Sequence, residues 1–341
     1  MNINQVYSTK ICSNFNFKQS KNRDNVKVSV ILPIYNQEKY LNKALNSLEK
    51  QTLEDVEFIC VNDGSVDSSL NILNEYALKD ERFKVINQKN QGCGASRNNG
   101  LKLAKGEYIA FLDPDDWFES NALEKLYNKA KKQDCDMVVF NFKKISEGGE
   151  VIGKFNLKER LKRFIDIKED KNFHWRDIKS RVLGGLYPVA WNKFYKKDLI
   201  KENSLHFAKS NLAEDNVFVF GATLTARNIG YLADSLYNYQ IHGNSAIRNK
   251  SDKNLCLFKS IDSVKRLLKD LDLTDELKNE FDGYIFRFVS FHSKQIKSMS
   301  TFWDVCKKKL STFQYEMLKE RHVANSKILP LLDSILRHKL K

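Results

Sequence analysis

From residue 26 to residue 142 the chain alternates two hydrophobic rhythms. "VSVILPI" (28–34) is a nearly continuous apolar run and predicts a strand. "EKYLNKALNSLEKQ" (38–51) sets Tyr40, Leu41, Ala44, Leu45 and Leu48 on one face and predicts a helix. The alternation continues with "VEFICV" as strand, "SSLNILNEYALK" as helix and "FKVIN" as strand. "GASRNNGLKLAKG" then predicts a helix closed by Gly106, "EYIAFL" a strand, "SNALEKLYNKAKKQ" a helix with Ser120 as candidate cap, and "DMVVFNF" a fifth strand. Short strands apolar on both faces, separated by amphipathic helices, predict an α/β fold with a mostly parallel sheet flanked by helices on both faces. In such sheets ligands bind beyond the carboxyl ends of the strands. The polar clusters fall at those ends: "PIYNQ", "NDGSVD", "QKNQGCG" and "DPDDW". Four polar clusters on one edge predict a site.

Past residue 145 the rhythm loosens, with two short strands expected in "GYLADSLYNYQIHGNSAI". From about 250 the text is helical and basic. The organisation expected is a polar arm over residues 1–25, a domain over 26–248 with halves 26–145 and 146–248, and a basic helical C-terminal region over 249–341. The final "NSKILPLLDSILRHKLK" spaces Ile328, Leu331, Leu332, Ile335 and Leu336 at helical intervals beside Arg337, His338, Lys339 and Lys341, and Lys307 to Lys309 form a second basic cluster. Two readings stand: a helical appendage packed on the domain with solvated lysines outside, or peripheral docking on an anionic membrane surface.

At 341 residues and 42% apolar content the chain can bury a full core. It has no run of 18 apolar residues, and the polar opening "MNINQVYSTKICSNFNFKQSKNRDN" lacks the apolar centre of a secretory signal, so a cytoplasmic location is expected. Cys12, Cys60, Cys93, Cys135, Cys256 and Cys306 lie far apart without zinc spacing, which predicts reduced, buried thiols. The net charge of +14 suits nucleic acid, an anionic membrane or a phosphorylated small substrate. Lysines spread along the chain argue against a base-reading surface, where arginine forks are favoured. A groove for DNA beside Asp113, Asp115 and Asp116 would be repulsive, so nucleic acid is not an expected partner.

Those three carboxylates within four positions pose the main chemical question. Magnesium or manganese binds through one or two carboxylates plus substrate phosphates, and a D-x-D turn can point two carboxylates at one ion. An ordinary strand-to-helix loop capped by Asp116 or Ser120 is the alternative. Asp63, after the second strand, suits a ribose or base contact as well as a type I turn. The first strand–helix turn has no glycines, which excludes a G-x-G-x-x-G dinucleotide site.

Together, "VSVILPIYNQEKYLNKALNSLEKQT", "FICVNDGSVDSS", "NQGCGASRNNGLKLAKGEYIAFLDPDDW" and "AEDNVF" resemble family 2 of the glycosyltransferases, with the GT-A fold. The likeness is dense over 26–145 and thinner over 185–245. It implies inverting transfer of a sugar from a nucleotide donor, usually UDP-linked, with Mn2+ or Mg2+. It also implies a saccharide or lipid-linked saccharide acceptor of cell-surface glycan synthesis. By this resemblance Pro33, Tyr35 and Asn36 lie near the nucleotide, Asp63 contacts uracil or ribose with Asp67 in the same motif, and Lys89 and Arg97 flank the nucleotide. Asp113 and Asp115 match the metal-binding pair, with Asp116 adjacent on the acceptor side. The family usually has a small residue where this chain has Pro114. Asp215 matches the base that takes the proton of the acceptor hydroxyl, with Glu214 the alternate; without the resemblance both read as charge at a helix N-terminus. His242 resembles a third metal ligand or a phosphate donor, or is a loop histidine with its own hydrogen bond. Trp191, Asn192 and Lys193 match a segment bordering the acceptor, and Trp191 reads equally as core. A catalytically silent scaffold is the first alternative function, and a basic nucleic-acid-binding protein, which the +14 charge alone suggests, ranks after it.

Overall fold

The computed structural model describes residues 25–208, 213–243, 257–293 and 298–319, save 313 and 317. Its first half is the alternation read from the pattern: β1 (Val28–Ile34), α1 (Leu41–Glu49), β2 (Val56–Asn62), α2 (Ser69–Lys79), β3 (Phe83–Asn87), α3 (Cys93–Leu103) and β4 (Tyr108–Phe111). These strands lie parallel in the order β3-β2-β1-β4. All residues of β1 and β2 are buried, as continuous apolar runs require when helices cover both faces. Leu41, Ala44, Leu45 and Leu48 are the buried stripe of α1.

Then come β5 (Trp117–Phe118), α4 (Ala122–Lys132), β6 (Met137–Ile145), β7 (Val151–Phe155), α5 (Leu157–Leu161) and a 3-10 helix (Trp175–Arg181). β8 (Lys193–Lys196), α6 (Lys197–Glu202), α7 (Asp215–Thr225) and β9 (Ile229–Gln240) complete this part. The sheet continues β4-β8-β6-β9-β5, with β7 on the flank of β6. β8 runs antiparallel to both β4 and β6, and β9 is parallel to β6 but antiparallel to β5. The sheet is therefore parallel across the first four strands and mixed beyond them.

Three local expectations are corrected. The two short strands expected after residue 229 are one twelve-residue strand, β9, whose register against β6 skips between Leu232 and Ser235. Asn141 fills the skip, its Nδ2 donating to the carbonyl of Ala233 at 2.8 Å and to the Tyr231 hydroxyl at 3.0 Å. Ser120 does not cap α4; Asn121 occupies that position without a side-chain cap bond, and the Ser120 carbonyl accepts from the Thr52 amide at 2.9 Å. Gly106 lies past the end of α3 and is required by close approach, since a Cβ there would sit 2.4 Å from the Ser29 nitrogen.

The amino ends of the strands are closed by Glu57. Its carboxylate accepts from the Ser29 hydroxyl at 2.5 Å and the Lys105 amide at 2.6 Å and pairs with Lys84. Burial pushes this carboxyl up, but those bonds hold it below the usual carboxylate range.

After β9 come α8 (Leu257–Asp270), α9 (Lys278–Ser293) and α10 (Met299–Lys309). α8 packs on α7 through a stripe that includes Leu257, Ile261, Val264 and Leu268, and α9 packs on α8 and the 3-10 helix. The described C-terminal helices are thus packed on the preceding fold. Residues 328–341 and the arm over 1–24 lie outside the described residues. No described helix is long and apolar enough to cross a membrane. Cys60, Cys135 and Cys306 are buried free thiols, whereas Cys93 departs from expectation and is exposed at the start of α3.

Candidate active site

The loops after β1 and β2 are stitched to each other. Asn36, held in the left-handed region at φ 52°, accepts the Val66 amide on Oδ1 at 2.9 Å and donates its own amide to the Ser65 hydroxyl at 3.0 Å. Asp67 accepts the Glu38 amide at 3.0 Å and the Ser69 amide at 3.0 Å, and Glu38 accepts the Ser68 amide at 2.9 Å. Burial pushes the Asp67 carboxyl up, but these bonds leave it below its ordinary value. Asn36 and Asp67 are thus structural ties of the cradle, while Tyr35 stands exposed at its rim and Pro33 is buried within β1, opposite Val61.

Asp63 does the same for the third loop. It is 2% exposed, and its carboxylate accepts from Gln88 Nε2 at 2.7 Å and from the amides of Gln91 and Gly92 at 2.8 Å each. Gln88 is itself held, its Oε1 accepting from Asn99 on α3 at 2.7 Å. Lys89, on the same loop, is exposed to solvent.

Arg97, one turn into α3, joins the two halves of the fold. Its guanidinium donates to Asp113 Oδ1 at 2.7 Å, to Asp215 Oδ1 at 2.7 Å and to Glu214 Oε1 at 3.2 Å, and it lies over the ring of Phe207. The Arg97 side chain is 4% exposed, and Nε is buried with no partner among the described residues. Asp113 follows β4 and Asp215 opens α7, so one planar fork bridges two carboxylates that lie far apart in sequence. Asp215 Oδ2 accepts the Ala190 amide at 3.0 Å. Burial pushes the Asp215 carboxyl up to about 6; Arg97 opposes the shift, and the charges of Glu214 and Asp113 add to it. That value suits a group that must be ionised near neutrality yet still take a proton.

On the other side of Asp113, Asp115 Oδ2 meets His242 Nε2 at 2.8 Å. The ring of His242 stacks on Tyr40 with centroids 4.7 Å apart, and its Nδ1 is buried without a partner among the described residues. Burial and the charge of Asp113 raise the Asp115 carboxyl, against the pull of His242. Asp116 faces inward: it is fully buried, accepting the Tyr237 hydroxyl at 2.7 Å and the Gln240 amide at 2.7 Å. The Tyr237 hydroxyl also accepts the Asp113 amide at 3.2 Å. Asp116 and Tyr237 thereby pin the loop that presents Asp113 and Asp115.

Among the described residues no three His, Cys, Asp or Glu side chains are arranged to close on a metal ion by themselves. The donor set nonetheless fits a hard divalent cation, which takes two carboxylates and completes its shell with phosphate oxygens. Among the described residues Asp113, Glu214 and Asp215 share one close cation, Arg97, while Asp115 meets only His242, which leaves four carboxylates clustered around one arginine and one histidine.

Trp191, Asn192 and Lys193 are buried. Trp191 stacks on Tyr237 with centroids 4.4 Å apart and on Tyr239 at 5.5 Å, which makes it part of the core behind the Asp113 loop. Lys193 Nζ donates to the carbonyls of Tyr187 at 2.6 Å and Val189 at 2.8 Å and to Asn192 Oδ1 at 2.6 Å. It fixes the bend that includes Tyr187, at φ 62°, and leads to the Ala190 amide on Asp215. These residues support the site from behind. Gln88, Tyr237 and Ala190 went unread in the sequence because each acts across a fold-dependent contact, Ala190 through its backbone alone.

The profile of glycosyl transferase family 2 matches residues 29–200. The chain belongs to this family. The EpsH protein of Bacillus subtilis, which bears a glycosyltransferase name, is 35% identical over 265 residues, covering 76% of this chain and 74% of EpsH. A poly(ribitol-phosphate) β-glucosyltransferase of Bacillus spizizenii is 38% identical over 221 residues, covering 63% of this chain, which spans only 32% of that longer relative. The solved structure of TarS residues 1–349 from S. aureus, in complex with UDP-GlcNAc, superposes with a TM-score of 0.59 at 22% identity, over 88% of this chain and 92% of that one. The fold is of the GT-A type, and the family member described here is a glycosyltransferase.

Proposed function

We propose that this glycosyltransferase is an inverting enzyme that moves a sugar from a UDP-linked donor to a hydroxyl of a saccharide or lipid-linked saccharide in cell-surface glycan synthesis. The observation that carries the proposal is the Arg97 fork, which holds the candidate base Asp215 beside the donor-side carboxylate Asp113. The complex of TarS with UDP-GlcNAc and the action of a relative on poly(ribitol-phosphate) support the donor class and a surface-polymer acceptor. In the reaction Asp215 takes the proton of the acceptor hydroxyl, the oxygen bonds to the anomeric carbon from the face opposite the diphosphate, and the sugar–phosphate bond breaks. Direct displacement needs no nucleophilic side chain. Asp113 and Asp115 would hold Mn2+ or Mg2+ with His242 behind Asp115, and the ion supplies charge stabilisation for the departing diphosphate. Exposed Lys307 to Lys309 on α10 suit peripheral contact with the anionic inner face of the cell membrane.

The test is calorimetric titration of UDP with and without Mn2+, with GDP and CDP as controls, in the wild type and in Asp115→Asn. Selective UDP binding that Mn2+ strengthens, with the strengthening lost in Asp115→Asn, is the expected result. UDP binding that is unselective, or equally metal-dependent in the variant, would overturn the donor and metal assignment.

A further inference from the structure

The C-terminal helices α8 and α9, which lie outside the segment that the family profile covers, touch the polypeptide around Asp215 at three separate points. Ala213, two residues before Asp215, is a non-glycine residue in the left-handed region at φ 54°. Such a conformation costs free energy and persists only where its surroundings fix it. Ser260 on α8 does so, donating its hydroxyl to the Ala213 carbonyl at 3.1 Å. One residue after Asp215, Asn216 is buried and donates Nδ2 to the Tyr284 hydroxyl of α9 at 2.7 Å, with Ser260 a further partner of that hydroxyl.

The third point is the loop that carries the Ala190 amide. At its start, Leu183 is held at both backbone polar atoms: its amide donates to Glu280 Oε1 at 3.2 Å, and its carbonyl accepts from Arg287 at 3.1 Å. Glu280 and Arg287 are themselves paired at 3.0 Å, and the Glu280 side chain is 7% exposed. At its far end the loop is fixed by Lys193 and by Tyr195, whose hydroxyl donates to the Ala190 carbonyl at 3.2 Å. Asp215 thus receives its Ala190 hydrogen bond from a loop tethered at one end to the sheet and at the other to α9.

We infer that α8 and α9 are a positioning element for the base: Ser260, Tyr284 and Glu280 hold Ala213, Asn216 and Leu183 so that the Asp215 carboxylate stays aligned between Arg97 and Ala190. A packing role alone would require the apolar stripes of these helices but not polar side chains aimed at backbone and amide groups on both sides of one carboxylate. The inference rests on Asp215 being the base, and it makes a structural claim that can be read without any turnover.

The experiment compares the full chain with Tyr284→Phe, Glu280→Gln, their double variant and Ser260→Ala. The control is Glu276→Ala, which removes an exposed link from the segment between α8 and α9 to Arg176 and Lys179. Hydrogen exchange at the Ala190 amide reads the alignment, UDP titration reads the donor site, and UDP release from a UDP-sugar reads turnover, with Asp215→Asn as reference. The expected result is faster exchange at Ala190 in the Tyr284 and Glu280 variants, UDP affinity within about twofold of wild type, and kcat lower by about tenfold with little change in donor KM. Ser260→Ala, the mildest change, shows the same pattern in smaller measure if a stronger variant fails to fold, and Glu276→Ala matches wild type. Unchanged Ala190 exchange in every folded variant overturns the inference, as does an equal loss in Glu276→Ala. Full turnover by Asp215→Asn would overturn the base assignment instead, whatever the exchange data show.

Discussion

Arg97→Gln is the most informative single change. It removes the close cation shared by Asp113, Glu214 and Asp215 and leaves a neutral group of similar reach. A cation in contact with a carboxylate lowers its pKa by about 1–3 pH units, so taking Arg97 away moves Asp215 up by that much from about 6. Asp215, the proposed base, works only when ionised. In the wild type turnover therefore rises with pH through about 6 and is close to its plateau at pH 7. A rise of about two pH units would cut the ionised fraction at pH 7 from about nine-tenths to about one-tenth, a loss of about tenfold that higher pH restores. Removing one partner from a buried ionic cluster also costs about 3–5 kcal/mol, softened here because carboxylates freed of Arg97 can take up protons. The assay is the pH profile of UDP release, paired with urea unfolding. A folded Arg97→Gln enzyme whose acid limb still centred near the wild-type midpoint would refute the reasoning. Arg97→Lys keeps the charge but cannot fork to Asp113 and Asp215 together, so its profile should fall between the two.

Two further outcomes follow from packing at the same site. Lys193→Met strands the carbonyls of Tyr187 and Val189 and should lower unfolding stability by about 1–3 kcal/mol, read as the urea midpoint. Gly94→Ala places a Cβ 2.6 Å from the Ala208 carbonyl and 3.2 Å from Glu214 Cβ, so either α3 or the segments at Ala208 and Glu214 must shift, which disturbs the contact of Arg97 with the proposed base. Turnover should drop by about tenfold in a protein whose circular dichroism stays native.

The half over residues 26–145 was legible because its signals are local. The runs in β1 and β2 are apolar on both faces, and Asp63, Asp113 and Asp115 follow directly from strand ends, so the spacing of "NDGSVD" and "DPDDW" translates into position. What was not legible depends on contacts between distant segments. Nothing in the sequence around Asp63 and Asp67 shows that their oxygens also accept amides that tie the loops together. Asp116 is indistinguishable from Asp115 as a letter. It is turned inward by Tyr237, whose hydroxyl reaches it from 121 residues away. The mixed half was harder because β8 reverses direction after an irregular stretch, and no periodicity announces that reversal. The length of β9 was misread because a register skip at Ala233 and Asp234 breaks the alternation without ending the strand.

The bonds that stitch Asn36, Gln37 and Glu38 to Ser65, Val66, Asp67, Ser68 and Ser69 involve no residue beyond 69. The entropy of ordering these two loops is therefore spent at folding and not at each encounter with a ligand. It also means that the cradle is insulated from drift elsewhere. If residues 146–190 meet the acceptor, substitutions there can remodel that surface without loosening a single one of these ties, which leaves a lineage free to change what it glycosylates while inheriting the same cradle.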